Sequence, residues 1–396
     1  MTNWKEVKLE SIADVIMGQS PKSEYYNAVG DGLPFLQGNR TFGLKYPIFD
    51  TYTTSPTKIA QPQDVIMSVR APVGDLNITP VKMCLGRGVC AMRMKNGNQE
   101  FLYYLMKHNV QNLLNRESGT VFGSVNRNDI GSLEVLVPEN DKIQQKVASV
   151  LSLLDAKIET NTRINNNLEQ QAQALFKSWF VDKEYEVERE TTLGVVCKCE
   201  LGGTPSRIKS EYWGGNIAWI NSGEVNNFRI TKASEYITEI GLKHSATKLL
   251  PRKTTVLAIT GATLGQISLL EIDSCTNQSV VGVLENETLP YEFIYPYICY
   301  NIKELLSHQT GGAQQHINKQ NVEQLTLSLP KSTLIKDYKN IVAPIFELIA
   351  KNCFESERLA AIRDALLPKL MSGEIDVSNV DISALTSTDK LSFTED

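Results

Sequence analysis

The chain has 396 residues, is 42% hydrophobic and 21% charged, and carries a net charge of −5. That composition excludes an intrinsically disordered polymer, and no apolar run approaches the roughly 18 residues that would cross a bilayer. The acidic balance argues against a surface coated in basic residues, although local basic patches stay open.

The N-terminus, "MTNWKEVKLESIADVIMGQ", has no basic stretch followed by an apolar one. No signal peptide is expected there, and the chain reads as cytoplasmic. The seven cysteines are scattered, and Cys197-x-Cys199 is not a zinc spacing. They read as buried free thiols in a reducing compartment.

Residues 1–140 read as a first globular domain. Short β-branched runs such as "DVIMSV" and "GVCAMRM" are separated by Gly, Pro and Asn, as strands would be. Phe101–Asn115 has apolar residues at helical spacing, and "LEVLVP" reads as a closing strand stopped by proline.

Residues 141–182 read as a long helix. Lys142 to Phe180 holds neither Pro nor Gly. Val147, Leu151, Leu154, Ile158, Asn161, Asn165, Leu168, Ala172, Leu175 and Trp179 follow alternating steps of three and four, a heptad seam. At about 1.5 Å per residue the helix is about 55–60 Å long.

The chain then repeats itself. Residues 183–332 read as a second domain in the same order. "LESIADVIMGQSP" (Leu9–Pro21) aligns with "LGVVCKCELGGTP" (Leu193–Pro205), and Gly32–Asn39 with Gly215–Ser222. Val65–Gly74 aligns with Val256–Gly265, and Glu100–Asn109 with Glu292–Asn301. "SGTVFGSVNRNDI" (Ser118–Ile130) aligns with "TGGAQQHINKQNV" (Thr310–Val322), pairing Gly119 with Gly311, Val125 with Ile317 and Asn126 with Asn318. Such self-similarity reads as duplication of a whole domain.

Residues 333–375 repeat the long helix, with a seam at Ile341, Ile345, Leu348, Asn352, Leu359, Ile362 and Leu366 and with Pro344 in its first turn. Asn161 and Asn352 take equivalent seam positions, where a buried Asn sets register and a solvent-facing one does not. Residues 376–396 read as a polar tail. The fold class expected is α+β: two duplicated globular α/β domains separated by two long helices. These would pack as an antiparallel coiled coil in a pseudo-twofold, circular arrangement.

No phosphate-binding loop, dinucleotide fingerprint, zinc-protease motif or nucleophile elbow is present. The four histidines lack metal-ligand spacing, so no catalytic residue and no metal site is assigned. Binding is easier to argue. In the first domain the loops hold Ser20, Lys22, Gln37, Asn39, Arg40, Arg70, Arg87, Arg116, Ser118, Ser124, Asn126 and Arg127. In the second they hold Thr204, Ser206, Arg207, Asn221, Ser222, Thr260, Thr263, Gln278, Gln314, Gln315, Asn318 and Lys319. Arg, Gln and Asn can read base edges, whereas Ser, Thr and Lys can hold phosphates. Two such heads would suit a split target on duplex DNA, whose half-sites on one face lie about 34–36 Å apart.

The duplicated domain-plus-helix order, "ALFKSWFVD" (Ala174–Asp182) and "LLPKLMSGEIDV" (Leu366–Val377) together resemble the specificity subunits of type I restriction–modification enzymes. The resemblance implies two target recognition domains, each reading one half of an asymmetric bipartite DNA sequence. It implies helices that set the gap and dock two modification (methyltransferase) subunits, joined by restriction subunits. S-adenosylmethionine, ATP and magnesium would be bound by those partners, with no cofactor in this chain. No base contact carries over from the family, because its reading domains vary. Two alternatives stay open: a methylation-only system, or a duplicated scaffold that binds protein.

Overall fold

A computed structural model of the chain describes residues 3–115, 124–307 and 315–381. The chain divides into two compact units, residues 1–157 with 359–396, and residues 158–358. The expected contacts at Arg116, Ser118 and Gln314, the paired glycines 119 and 311, and most of the tail lie outside the described residues. Among the described residues no helix is long and apolar enough to cross a membrane.

The first unit contains β1 (Trp4–Lys8), β2 (Ala13–Met17), β3 (Leu33–Leu36), β4 (Val65–Ser68), β5 (Leu76–Ile78), β6 (Met83–Leu85) and β7 (Val89–Met94). Helices α1 (Gln99–Asn115) and α2 (Arg127–Gly131), strand β8 (Glu134–Pro138) and the start of α3 (Asp141–Phe180) follow. The second unit contains β9 (Val187–Thr192), β10 (Cys199–Leu201), β11 (Trp213–Ile220), β12 (Glu235–Ile237), β13 (Thr255–Ala258), β14 (Ile267–Leu269), β15 (Ser274–Thr276) and β16 (Val280–Val283). Helices α4 (Tyr291–Ser307) and α5 (Lys319–Glu323), strand β17 (Thr326–Pro330) and the first part of α6 (Ser332–Met371) complete it, and the end of α6 returns to the first unit.

Each unit has a four-stranded antiparallel sheet of the same order, β2-β7-β4-β5 in one and β10-β16-β13-β14 in the other. Each has one parallel pair in a second sheet, β3 with β6 and β11 with β15. Each closes on an antiparallel pair, β1 with β8 and β9 with β17. Loop hydrogen bonds recur as well. The Leu9 N–H donates to the Leu133 carbonyl as Leu193 does to Leu325, both at 2.9 Å or less. Val125 bonds Val69 as Ile317 bonds Ile259, and Gly18 bonds Val89 as Gly202 bonds Val280. The duplication therefore extends to individual backbone bonds. Close backbone approach also explains the glycine of the shared Gly-x-Ser/Thr-Pro. A Cβ on Gly18 would lie 2.1 Å from the Gly86 carbonyl oxygen, and one on Gly202 would lie 2.2 Å from that of Asn277.

Two strand alignments need correction by one residue. Leu36 accepts from Gly86, and Ile220 accepts from Asn277, so Leu36 corresponds to Ile220 and not to Trp219. Val65 pairs with Met92 and Ile78, while Thr255 pairs with Val283 and Leu269, so Val65 corresponds to Thr255. The second loop regains the residue before Gly265. These strands bury successive residues (Val65 to Ser68 are all buried), so no polar alternation marks which face is which.

The cores recruit the long helices. In the first unit Val147 and Leu151 of α3 and Leu367, Leu370 and Met371 of α6 join the cluster around Phe101, Tyr104 and Met92. In the second, Phe176 and Phe180 of α3 pack with Phe293, Tyr338 and Phe346. Phe180 meets Phe293 and Tyr338 edge to face with centroids 4.9 and 5.0 Å apart.

Within the second unit the two helices run antiparallel. Asn161 donates to Glu355 at 2.8 Å, and Asn352 donates to Asn165 at 2.9 Å. Asn161 and Asn352 are buried and bonded across the pair rather than solvent-facing. Of the expected seam, Leu151 is buried, and Leu154, Ile158, Leu168, Leu175, Ile345, Leu359 and Leu366 are half-buried. The phase of α6 needs correcting: Ile341, Leu348 and Ile362 are 48%, 42% and 39% exposed. The buried stripe in its first half is Ile335, Tyr338, Val342, Phe346 and Ile349. That half is apolar in both phases, and the aromatic core of the domain selects the one it can bury.

Candidate nucleic-acid interface

Strand ends position the candidate residues. In the first unit the loops leaving β3, β4 and β6 converge on one hollow of about 380 Å³. Gln37, Asn39, Arg40, Arg70 and Arg87 line it together with Asp50. Ser20 stands beside them, its hydroxyl accepting from the Arg87 backbone N–H at 3.2 Å. Ser124 also joins, through a backbone bridge to Arg70.

These side chains are not equally available. Arg40 pairs with Asp50 at 2.6 Å, and Asn39 donates to Asp75 at 2.6 Å. The Arg40 bond holds the Asp50 carboxyl below its usual range. Arg70 and Arg87 are exposed and make no ion pair or side-chain hydrogen bond among the described residues. Lys22 does not line that hollow and lies 3.8 Å from Glu24 in an exposed pair. Asn126 caps α2 in a reciprocal capping box with Asp129, and Arg127 is exposed in the first turn.

In the second unit Thr204 donates to the Gln278 side-chain oxygen at 2.6 Å. Thr260 forms a backbone bridge with His316, and the Gln315 carbonyl accepts from Gly261 at 3.3 Å. The Thr263 hydroxyl bonds the Thr260 carbonyl at 3.4 Å. Asn221 donates to Glu224, which shapes the turn through Ser222. Asn318 caps α5 as Asn126 caps α2, and Lys319 pairs with Glu323 along that helix. Ser206 lends its carbonyl to the Trp213 indole at 3.2 Å.

Arg207 is fully engaged. Its guanidinium lies 3.7 Å from the Trp213 ring centre and makes two bonds to Glu235, one at 2.8 Å. The pair raises the Arg207 pKa and lowers that of Glu235. Sequence reading missed the acidic partners Asp50, Asp75 and Glu235, because each is distant in the chain from the residue it holds. It also missed Arg229, whose buried guanidinium bonds Glu169 of α3 at 2.6 Å and Tyr295 of α4 at 3.2 Å. The cysteine reading concerns the core: burial pushes the thiols of Cys90, Cys197 and Cys199 up to about 12.

Comparison with known proteins places this geometry. A family model, the type I restriction modification DNA specificity domain, matches residues 1–170 and again 186–363. The MjaIX specificity subunit of Methanocaldococcus jannaschii is 24% identical over 413 residues, covering 96% of this chain and 95% of that one. The HindI specificity subunit of Haemophilus influenzae is 25% identical over 465 residues, covering 95% of this chain and all of its own. Among solved structures, the S subunit of a type I restriction–modification system from M. genitalium superposes with a TM-score of 0.57. It is 18% identical and covers 93% of this chain and 96% of its own.

Proposed function

This chain belongs to the type I restriction–modification DNA specificity family, and from that premise we propose how its two domains divide the work. It is a non-catalytic DNA-recognition subunit that acts within a complex with other restriction–modification subunits. Each domain reads one half of an asymmetric, bipartite duplex target, and the long helices set the gap. The observation that carries this reading is the pairing of conserved backbone bonds with divergent loop side chains. Two copies of one framework display different hydrogen-bonding groups at matched positions, which is what two unlike half-sites require.

On this reading two methyltransferase subunits dock on the helical regions and restriction subunits join them. Those partners bind S-adenosylmethionine, ATP and magnesium in the cytoplasm, and this chain binds none of the three. Mapping methylated adenines across the host genome tests the proposal. The expected outcome is a split motif with unlike halves that disappears when this gene is deleted. A continuous palindrome, or a motif indifferent to the deletion, would overturn it.

A further inference from the structure

The matched backbone bonds let loop positions in the two domains be paired without reliance on sequence similarity. Val69 donates its N–H to the Gly88 carbonyl, and Ile259 donates to that of Ser279, both at 2.9 Å. Arg70 follows Val69 and Thr260 follows Ile259, so these two correspond. Arg87 precedes Gly88 and Gln278 precedes Ser279, so these two correspond as well. The neighbours lie at matched places, although their bonds differ: the Ser20 hydroxyl accepts from the Arg87 backbone N–H, and the Thr204 hydroxyl donates to the Gln278 side-chain oxygen. The bridge from Arg70 to Ser124 has its counterpart in the bridge from Thr260 to His316.

Several other polar groups nearby are constrained, while Gln37 lines the hollow exposed and with no side-chain bond among the described residues. Arg40, Asn39 and Arg207 are held by Asp50, Asp75 and Glu235. Asn126 and Asn318 accept the N–H groups of their helix ends. Arg70 and Arg87 keep all their donors, and both reach one hollow. Gln278 accepts one bond from Thr204, which orients its amide and leaves the NH2 group to donate. Arg matches the paired acceptors of guanine, whereas Gln matches the acceptor and donor of adenine.

We propose that the matched positions Arg70/Thr260 and Arg87/Gln278 are base-reading positions, with Arg70 and Arg87 selecting guanine in one half-site and Gln278 selecting adenine in the other. This rests on the DNA-recognition reading above and adds which residues discriminate and for which base. Asn39, Arg40 and Arg207 then shape the reading surface, held in place by their carboxylates.

The test uses the full chain assembled with the modification subunits of its own system and a randomised duplex library. Three proteins are compared: unaltered, Arg70→Thr with Arg87→Gln, and Gln278→Arg. The double variant is expected to lose about ten- to a hundredfold of its guanine discrimination at one or two positions of one half-site. The other half-site, read by the same molecules, stays unchanged and shows that the protein is folded. Gln278→Arg is expected to move one position of the second half-site from adenine toward guanine. Unchanged preferences would overturn the inference. So would uniform weakening on all sequences with a shallower salt dependence, since that is the signature of a phosphate contact. No split preference in the unaltered complex would overturn the underlying reading, and the inference with it.

Discussion

Arg207 shows how an exposed position can be unavailable. It sits in a polar loop, yet a carboxylate holds both arms of its guanidinium and an indole covers its face. The Glu235 carboxyl is held below its usual range by this bond. A group whose folded pKa is depressed adds stability that is present above its unfolded value and lost as pH falls through the folded one. The Arg207–Glu235–Trp213 contact should therefore persist from neutrality to below pH ~4.5 and release under stronger acid. Tryptophan emission should show a transition in that window, and Glu235→Gln should abolish it. A transition that survives in the variant would belong to another group. The two helix caps teach a related lesson. "NRND" and "NKQN" carry an N-cap with a polar partner three residues on, so capping was legible locally. A cap occupies the asparagine oxygen, so the same local signal already argued against Asn126 and Asn318 as free base readers.

The long helices were legible as elements, because an uninterrupted three-to-four period over tens of residues has no other outcome. Their packing was legible only in part. A two-stranded seam is narrow, but α6 must bury a face against both its partner helix and the aromatic core of a domain. Ile341 and Tyr338 both satisfy the sequence pattern, and only the core distinguishes them. The same contacts tie domain to helix through Arg229. Its side chain is fully buried against Glu169, with Phe228 and Tyr295 rings 4.4 and 4.6 Å away. Arg229→Met should leave the Glu169 carboxylate buried and unpaired, at a cost of about 3–5 kcal/mol. The double variant Arg229→Met with Glu169→Leu should recover most of that loss. Urea denaturation of the unaltered protein, Arg229→Met, Glu169→Leu and the double variant measures the coupling, and additive losses would mean that the pair does not act as one unit.

At the scale of the whole molecule, two domains on two helices predict separable control of gap and sequence. Insertion of one heptad after Asn161, matched by one at the equivalent point of α6, should lengthen the helices by about 10 Å. The recognised gap should change while both half-sites keep their sequences, as read by methylation mapping of cells carrying the variant complex. An altered half-site would mean that the helices shape the reading surfaces themselves. The amino-acid sequence alone determined the duplication, the order of elements, the helix lengths and the family resemblance. Each of these is written in local periods, glycine and proline punctuation, or repetition along the chain. Only the folded chain fixed the correspondence of Leu36 to Ile220 between the two copies, the buried phase of α6, and which loop side chains are held by carboxylates and which stand open. The physical reason is common to all three. A fully buried strand or a broad apolar helix face is degenerate until its distant neighbours choose among equivalent positions. A polar side chain is free or engaged according to partners that the fold, not the chain order, brings beside it.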